Sequence, residues 1–210
     1  MKIYVFYTPK ITEVFEQLRE STREIPSVEI VPVFYDNKEG PSHLDVGDTH
    51  KKEYMDLMLK RWGMHVENVK DNLGQNIVIL DADCVFNPCY QDFADTINEE
   101  LKENDFCFQF DPNTGMSARV NMGFTAVKCS PKTLSFFEKW FSFIEEKEGR
   151  AAGFPQLEWN DALIASPHIK FKNLPLSYGH QGGDCRFYHA IGVGGITGKM
   201  RALKEAAETF

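Results

Sequence analysis

The stretch NIVILDADCVF, residues 76–86, decides the fold because an apolar segment runs directly into two aspartates. The apolar residues that follow Asn76 predict a strand from Asn76 to Leu80, buried on both faces of a sheet. Side chains two residues apart on an extended chain point to the same side, so Asp81 and Asp83 can both reach one hard cation. At the carboxyl end of a parallel sheet, this pair would hold Mg²⁺ or Mn²⁺ against the phosphate oxygens of a ligand.

The aspartate pair has three explanations at this point. Asp81 and Asp83 could simply cap the turn that follows the strand. Asp81 could instead be the nucleophile of a phosphohydrolase similar to the haloacid dehalogenases, whose sequences place the same Asp-x-Asp after a strand. In the third explanation, a metal ion on the pair neutralises the diphosphate that leaves a nucleotide sugar. A complete strand-helix-strand unit precedes the motif here, whereas the phosphohydrolase motif usually opens its chain, and this favours the third explanation.

The first 34 residues predict a parallel α/β sheet. An apolar run indicates a strand from Ile3 to Tyr7, followed by an amphipathic helix from Ile11 to Glu24 and a second strand from Val28 to Phe34. The short links fit a parallel crossover, which needs a helix between its strands. We therefore predict a mostly parallel central sheet flanked by helices, in one continuous domain over residues 1–210. Later segments predict helices at 49–62, 131–146, 159–165 and 200–208, strands at 106–110, 123–128, 169–174 and 187–191, and loops at 36–48 and 177–186.

Composition excludes several classes of protein. The chain has 31 acidic and 23 basic residues and a net charge of -8, which argues against a wide nucleic-acid surface. Its 5 cysteines are odd in number and form no CxxC pair, so neither a disulfide framework nor a structural zinc site is indicated, and a reducing compartment fits best. No segment approaches about 20 apolar residues, so we expect neither a membrane span nor a signal peptide.

Three further polar residues are candidates for the same crevice. His189 lies in FYHAIG on the last predicted strand, where its imidazole could complete a Mn²⁺ site or serve only as a structural hydrogen-bonding group. Lys199 follows a glycine-rich segment and can reach a diphosphate oxygen. Arg61 falls on the apolar stripe of the helix at 49–62, so it either points towards the crevice or packs its stem in the core.

Several blocks together resemble the glycosyltransferases of the A-type fold (GT-A), which carry an Asp-x-Asp motif. These blocks are Thr8-Pro9 after the first strand, LDADCVF at 80–86, ARVNMGFTAV at 118–127, WNDALI at 159–164, and HAIG at 189–192 with Gly198-Lys199 after it. Their order and spacing match small nucleotide-sugar transferases along nearly the whole chain. The resemblance implies a single Rossmann-like GT-A domain with a small second sheet region.

The resemblance also implies metal-binding and catalytic residues. Asp81, Asp83 and His189 would be the metal ligands, and Asp81 would also bind the ribose of the donor. Asp161 in WNDALI and Asp184 in the loop at 177–186 would be the catalytic residues near the reacting carbon. Helix capping is the competing role of Asp161.

Five residues are implied in binding the donor nucleotide sugar. Thr8 would lie against the uracil or the ribose, and Arg61 and Lys199 would approach the diphosphate. Asn121 and Gly123 would line the donor sugar, since glycine allows close approach and asparagine both donates and accepts hydrogen bonds. Turn formation is the competing explanation of Asn121-Met122-Gly123.

The activity implied by the resemblance is transfer of a hexosyl unit from a UDP-sugar to a carbohydrate hydroxyl, with Mn²⁺ or Mg²⁺ bound and the anomeric configuration retained. The expected donors are UDP-glucose or a 6-deoxy relative such as UDP-rhamnose. Similarity to viral members implies glycan synthesis on a viral glycoprotein, a location in the host-cell cytoplasm, and fusion to further domains. A module of the same fold that binds the nucleotide sugar or a glycan without turnover is the remaining alternative.

Overall fold

A central sheet of 6 strands with the order β2-β1-β3-β6-β5-β7 organises the chain. The computed structural model describes residues 1–38, 52–111, 118–146, 155–179 and 185–210. The strands of the central sheet are β1 (Lys2–Tyr7), β2 (Glu29–Phe34), β3 (Asn76–Leu80), β5 (Phe106–Phe110), β6 (Val120–Lys128) and β7 (Phe171–Leu174). Only β6 runs antiparallel to its neighbours, so the predicted mostly parallel sheet is confirmed.

A second sheet of 3 strands lies next to the first and has the order β4-β9-β8. Its strands are β4 (Cys84–Phe86), β8 (Tyr178–Gly179) and β9 (Phe187–His189). The helices are α1 (Thr12–Ser21), α2 (Lys52–Asp71), α3 (Phe93–Glu103), α4 (Pro131–Glu146), α5 (Pro155–Ile164) and α6 (Gly195–Thr209). Within the described ranges, no helix is both long and apolar enough to cross a bilayer.

Helices cover both faces of the central sheet, and β3 shows why. Val78 and Leu80 enter a core shared with α1, α3, α6 and the small sheet, whereas Ile77 and Ile79 enter a core shared with α2, α4 and α5. Successive side chains of a strand point to opposite faces, so a strand with apolar residues at every position must be buried on both. The NIVIL run is therefore explained by two separate cores.

Two helices differ from their predicted bounds in ways that affect the site. Helix α2 continues past Trp62 to Asp71, because His65, Val66 and Val69 extend its buried stripe beyond Gly63. Helix α6 begins at Gly195 instead of residue 200, which places Lys199 inside the helix. The predicted start at residue 200 was thus wrong for α6, whereas the predicted start of α2 at residue 49 lies outside the described residues.

Four smaller differences separate the predicted elements from the observed ones. Sequence analysis assigned no element to α3, although Phe93, Ile97 and Leu101 form its buried stripe. Strand β6 begins at Val120 instead of residue 123, and α5 begins at Pro155 instead of residue 159. The predicted loop at 177–186 contains the short strand β8.

Candidate metal centre

Asp81, Asp83 and His189 meet where the central sheet adjoins the small sheet. One ligand atom from each lies within 4.8 Å of the others. Nε2 of His189 is 3.4 Å from Oδ1 of Asp83 and 3.7 Å from Oδ2 of Asp81. The carboxyl end of β3 thus carries both aspartates to the imidazole of His189, which was predicted to complete the site.

Strand pairing explains how residues so far apart in sequence come together. Strand β4 begins immediately after Asp83 and pairs antiparallel with β9, and the register sets Cys84 opposite His189. The amide of Ala190 donates a hydrogen bond of 3.0 Å to the carbonyl of Asp83. On the other side, the amide of Asp81 donates one of 2.8 Å to the carbonyl of Gly123 in β6. Backbone bonds to both sheets therefore hold the aspartate segment in place.

Each aspartate also has a cationic partner. Arg61 of α2 donates a hydrogen bond to Oδ1 of Asp81, and its side chain is only 5% exposed. Lys199 of α6 forms an ion pair with Oδ2 of Asp83 and donates a hydrogen bond of 2.9 Å to the carbonyl of Ala190. Each carboxylate therefore binds a cation with one oxygen and turns the other oxygen towards His189.

The charges of the site keep Asp83 ionised. Burial by itself would raise the pKa of Asp83, but the charges of the adjacent His189 in its protonated form and of Lys199 outweigh burial and hold that pKa well below its usual range. Burial, reinforced by the charges of Asp83 and Asp81, raises the pKa of the neighbouring Cys84 thiol well above its usual range. The Cys84 thiol thus stays protonated, and the anionic ligand atoms at this site are carboxylate oxygens.

The chemistry of these atoms fits a divalent cation. Oδ1 of Asp83 is buried and has no hydrogen-bond partner among the described residues, so an ion at this position would satisfy it. Two carboxylate oxygens and one imidazole nitrogen form a donor set suited to Mn²⁺ and acceptable to Mg²⁺. Nδ1 of His189 is 2.9 Å from Oε1 of Gln109, which leaves Nε2 as the nitrogen that faces the carboxylates.

Gly123 has no side chain, which lets the metal-ligand side chains lie directly against the backbone of β6. A Cβ atom at this position would lie 2.2 Å from Cε1 of His189 and 2.9 Å from both Oδ2 of Asp81 and Oδ1 of Asn121. Oδ1 of Asn121 accepts a hydrogen bond of 2.7 Å from the Gly123 amide, and Nδ2 of Asn121 contacts Asp111 at 3.5 Å. Asn121 and Gly123 therefore border the metal centre, as the resemblance implies for residues near the donor.

Thr8 lies at the same edge of the central sheet. It directly follows β1, and the parallel register of β1 with β3 sets Val5 beside Leu80. The Thr8 side chain is fully buried, and its hydroxyl has no hydrogen-bond partner among the described residues. A buried hydroxyl without a partner costs free energy unless a ligand satisfies it, so its position fits the predicted contact with a nucleoside.

Of the two predicted catalytic residues, the one that the structure describes, Asp161, does not join this cluster. Asp161 is exposed on α5 and lines a cavity of about 560 Å³ between α4 and α5, together with Trp140 and Phe136. Asp184 lies outside the described residues. Their catalytic roles stay predictions.

Two polar residues of α5 that sequence analysis did not select reach β6 beside Asn121. Asn160 is fully buried, and its amide exchanges hydrogen bonds of 3.1 and 3.2 Å with the backbone of Val120. Gln156 accepts one of 3.2 Å from the Met122 amide. The two residues are four apart and therefore lie on one face of the helix. This pattern was missed because the predicted helix began at residue 159 and so did not include Gln156.

Gln109 is the third residue that sequence analysis missed. It is a fully buried polar residue in the otherwise apolar strand FCFQF, and it contacts His189. A polar residue within a strand of this kind must find a hydrogen-bond partner, so the pattern signals a polar contact without identifying it.

The amino-acid sequence matches a known family of transferases. A family model for nucleotide-diphospho-sugar transferases matches residues 22–164. The chain belongs to this family. The transferase is thus a nucleotide-sugar glycosyltransferase of the GT-A type, and the phosphohydrolase and non-catalytic alternatives are set aside. No curated protein sequence matches the chain.

Solved structures agree on the fold of this transferase. A glycosyltransferase involved in the glycosylation of the major capsid of PBCV-1 superposes with a TM-score of 0.64 at 15% identity, covering 96% of this chain and 98% of the other. The galactosyltransferase LgtC, solved with donor and acceptor sugar analogues, gives 0.62 at 9% identity and covers 100% and 96%. Mouse xyloside xylosyltransferase 1 gives 0.54 at 9% identity and covers 91% and 98%. At such identities the likeness establishes the fold alone.

Proposed function

We propose that this transferase moves a hexosyl unit of the glucose or rhamnose type from a UDP-sugar to a carbohydrate hydroxyl. Asp81, Asp83 and His189 would hold Mn²⁺ or Mg²⁺, and the donor diphosphate would lie against that ion. The observation that carries the proposal is the convergence of these three ligand atoms within 4.8 Å, in a chain of the nucleotide-diphospho-sugar transferase family. When bound, the ion would act as a Lewis acid on the departing diphosphate.

The charge balance of the site supports a diphosphate ligand. The charges of Asp81 and Asp83 are matched by those of Arg61 and Lys199, so the four side chains sum to zero. A divalent cation would therefore leave a local charge of about +2, which favours an anionic diphosphate in a chain whose net charge is -8. The negative net charge of the whole chain would by itself repel a diphosphate.

The residues around the ion would orient the donor. Arg61 and Lys199 are held at the two aspartates and could each donate a further hydrogen bond to a diphosphate oxygen. The buried hydroxyl of Thr8 would bind the uracil or the ribose. Asn121 and Gly123 would line the donor sugar, and the contact of Gly123 with His189 and Asp81 at the metal centre supports that placement. Such positioning supplies much of the rate enhancement in group transfer.

Further parts of the proposal rest on the resemblance. We assign retention of the anomeric configuration, with Asp161 or Asp184 near the reacting carbon. We also place the protein in a viral pathway of glycoprotein glycosylation, in the host-cell cytoplasm and as one domain of a longer chain. The likeness to a glycosyltransferase involved in glycosylation of the PBCV-1 major capsid supports the viral role.

Metal-dependent donor binding tests the proposal. Calorimetric titration with UDP-, GDP- and dTDP-sugars, with Mn²⁺ or with excess chelator, should show binding of UDP-sugars only when the metal is present. Asp83→Asn should abolish it, whereas Asp71→Asn, an exposed carboxylate at the end of α2, should leave it unchanged. Equal binding of a UDP-sugar in chelator would refute the proposal. NMR of the product formed with Asp161→Asn and wild type would then establish the anomeric configuration and the role of Asp161.

A further inference from the structure

Gln109 is placed to act on the metal centre through His189. It is fully buried on β5, directly after the irregularity in the pairing of β5 with β6. Its Oε1 atom is 2.9 Å from Nδ1 of His189, across 80 residues of sequence. Its Nε2 atom has no hydrogen-bond partner among the described residues, so the contact with His189 is the hydrogen bond that this buried amide gains.

We propose that Gln109 is a positioning residue that keeps the proton of neutral His189 on Nδ1. In a neutral imidazole one nitrogen donates and the other accepts, so an acceptor at Nδ1 leaves the lone pair on Nε2. Nε2 is the nitrogen that faces Asp81 and Asp83. Metal-binding histidines commonly donate their second N–H to such an acceptor. This inference rests on the proposed function, because it concerns the ligand state of His189.

The two carboxylates oppose this arrangement when no ion is bound. Oδ1 of Asp83 and Oδ2 of Asp81 lie 3.4 and 3.7 Å from Nε2 and attract a proton to that nitrogen. A histidine with its proton on Nε2 has no lone pair to offer at the metal position. The acceptor on Gln109 is the group of the described chain that favours the other tautomer.

The backbone of β8 fixes where the Gln109 amide lies. Gly179 has a φ of +103°, and a Cβ atom there would lie only 2.0 Å from Nε2 of Gln109. A glycine is therefore needed both for the backbone conformation and for the space that the amide occupies. With β8 closed over it, the amide has little room to move away from His189.

Metal affinity in Gln109 variants provides the first test. Gln109→Met removes the acceptor at similar volume and should weaken Mn²⁺ binding, followed by electron paramagnetic resonance, about tenfold or more. Gln109→Glu restores an acceptor and should recover most of the affinity. Gln75→Met, at an exposed glutamine, should bind Mn²⁺ like wild type. A folded Gln109→Met protein with unchanged Mn²⁺ affinity would overturn the proposal.

The tautomer of His189 provides the second test, and its decisive measurement is made on the wild-type chain. In ¹⁵N-histidine NMR at pH 8, with and without Mg²⁺, His189 should carry its proton on Nδ1. Metal-free Gln109→Met should carry it on Nε2. Finding the proton on Nε2 in the wild type would refute the inference even if no Gln109 variant folds. A proton on Nδ1 in a protein that binds no divalent ion would support the role of Gln109 and refute the metal-dependent function.

Discussion

The ion pair of Lys199 with Asp83 allows a prediction that does not depend on the donor or the acceptor. The two side chains are only 7% and 1% exposed, so removing either one leaves a charge buried without its partner. Removal of one member of a buried pair typically costs about 3 to 5 kcal/mol of unfolding free energy. Lys199→Met and Asp83→Asn should each cost about 3 kcal/mol in chelator.

The double variant separates the charge effect from lost packing. Lys199→Met with Asp83→Asn leaves no unpaired charge, so we expect it to cost less than either single change, which gives a coupling energy of more than about 3 kcal/mol. The assay is urea unfolding in chelator at pH 8. Lys204→Met, an exposed lysine on the same helix, should change the unfolding free energy by less than about 0.5 kcal/mol. Single variants that each cost under about 1 kcal/mol, or costs that simply add, would refute the reasoning.

The same pair gives the direction of the pH dependence. The folded-state pKa of Asp83 is lowered, so its contribution to stability is present above the ordinary carboxyl pKa of about 4 and is lost as the pH falls through the folded-state pKa. Lys199→Met removes one of the groups that lower this pKa, so the fall in stability below about pH 4 should be shallower and should end at a higher pH than in the wild type. Unfolding free energies measured from pH 3 to 8 will show this shift, and superimposable pH profiles would contradict it.

Two further substitutions probe the space and charge around the ligands. Gly123→Ala would place a Cβ atom 2.2 Å from Cε1 of His189. The Mn²⁺ affinity should therefore fall at least about tenfold, and the unfolding free energy should fall by about 1 to 3 kcal/mol. As a control, Gly194→Ala should bind Mn²⁺ normally, because its new Cβ atom has no neighbour within 4 Å. Unchanged Mn²⁺ binding by Gly123→Ala would count against the site. Arg61→Met should weaken the binding of UDP in the presence of Mn²⁺ about tenfold, because it removes a charge-assisted hydrogen-bond donor beside Asp81. Calorimetry measures this change. An unchanged UDP affinity would show that Arg61 serves only in packing.

Local patterns in the sequence predicted the core of the fold and one half of the site. An uninterrupted apolar strand that ends in Asp-x-Asp implies two covered faces and a pair of carboxylates at the sheet edge, and both are present. The stripe of α2 predicted that Arg61 points inward, and it does. What the stripe left open was whether the guanidinium or only the stem faces inward, and the hydrogen bond to Asp81 answers that.

The other half of the site depends on contacts that local patterns do not encode. Lys199 reaches Asp83 across 116 residues, and Gln109 reaches His189 across 80. Both contacts join separate elements, and the pairing of β4 with β9 that brings His189 to the aspartates involves strands of 3 residues, which are too short to predict a partner or a register from sequence. Periodicity thus predicts which residues are buried, while the topology decides which of them meet.

This division explains why the metal centre lies at the junction of the two sheets. The aspartates follow β3 of the central sheet, but His189 belongs to β9 of the small sheet, and a bound cation would join the two through direct ligation. Ion binding and docking of the small sheet would then be linked, since a ligand that requires both sheets in place stabilises the state in which they are packed together. Other contacts already join the two sheets, including the hydrogen bond of His189 with Gln109 and the bond from the Ala190 amide to the Asp83 carbonyl, and the ion pair of Lys199 adds α6 to this junction. Through its ion pair with Asp83, Lys199 therefore stabilises the junction of the two sheets when no metal ion is bound.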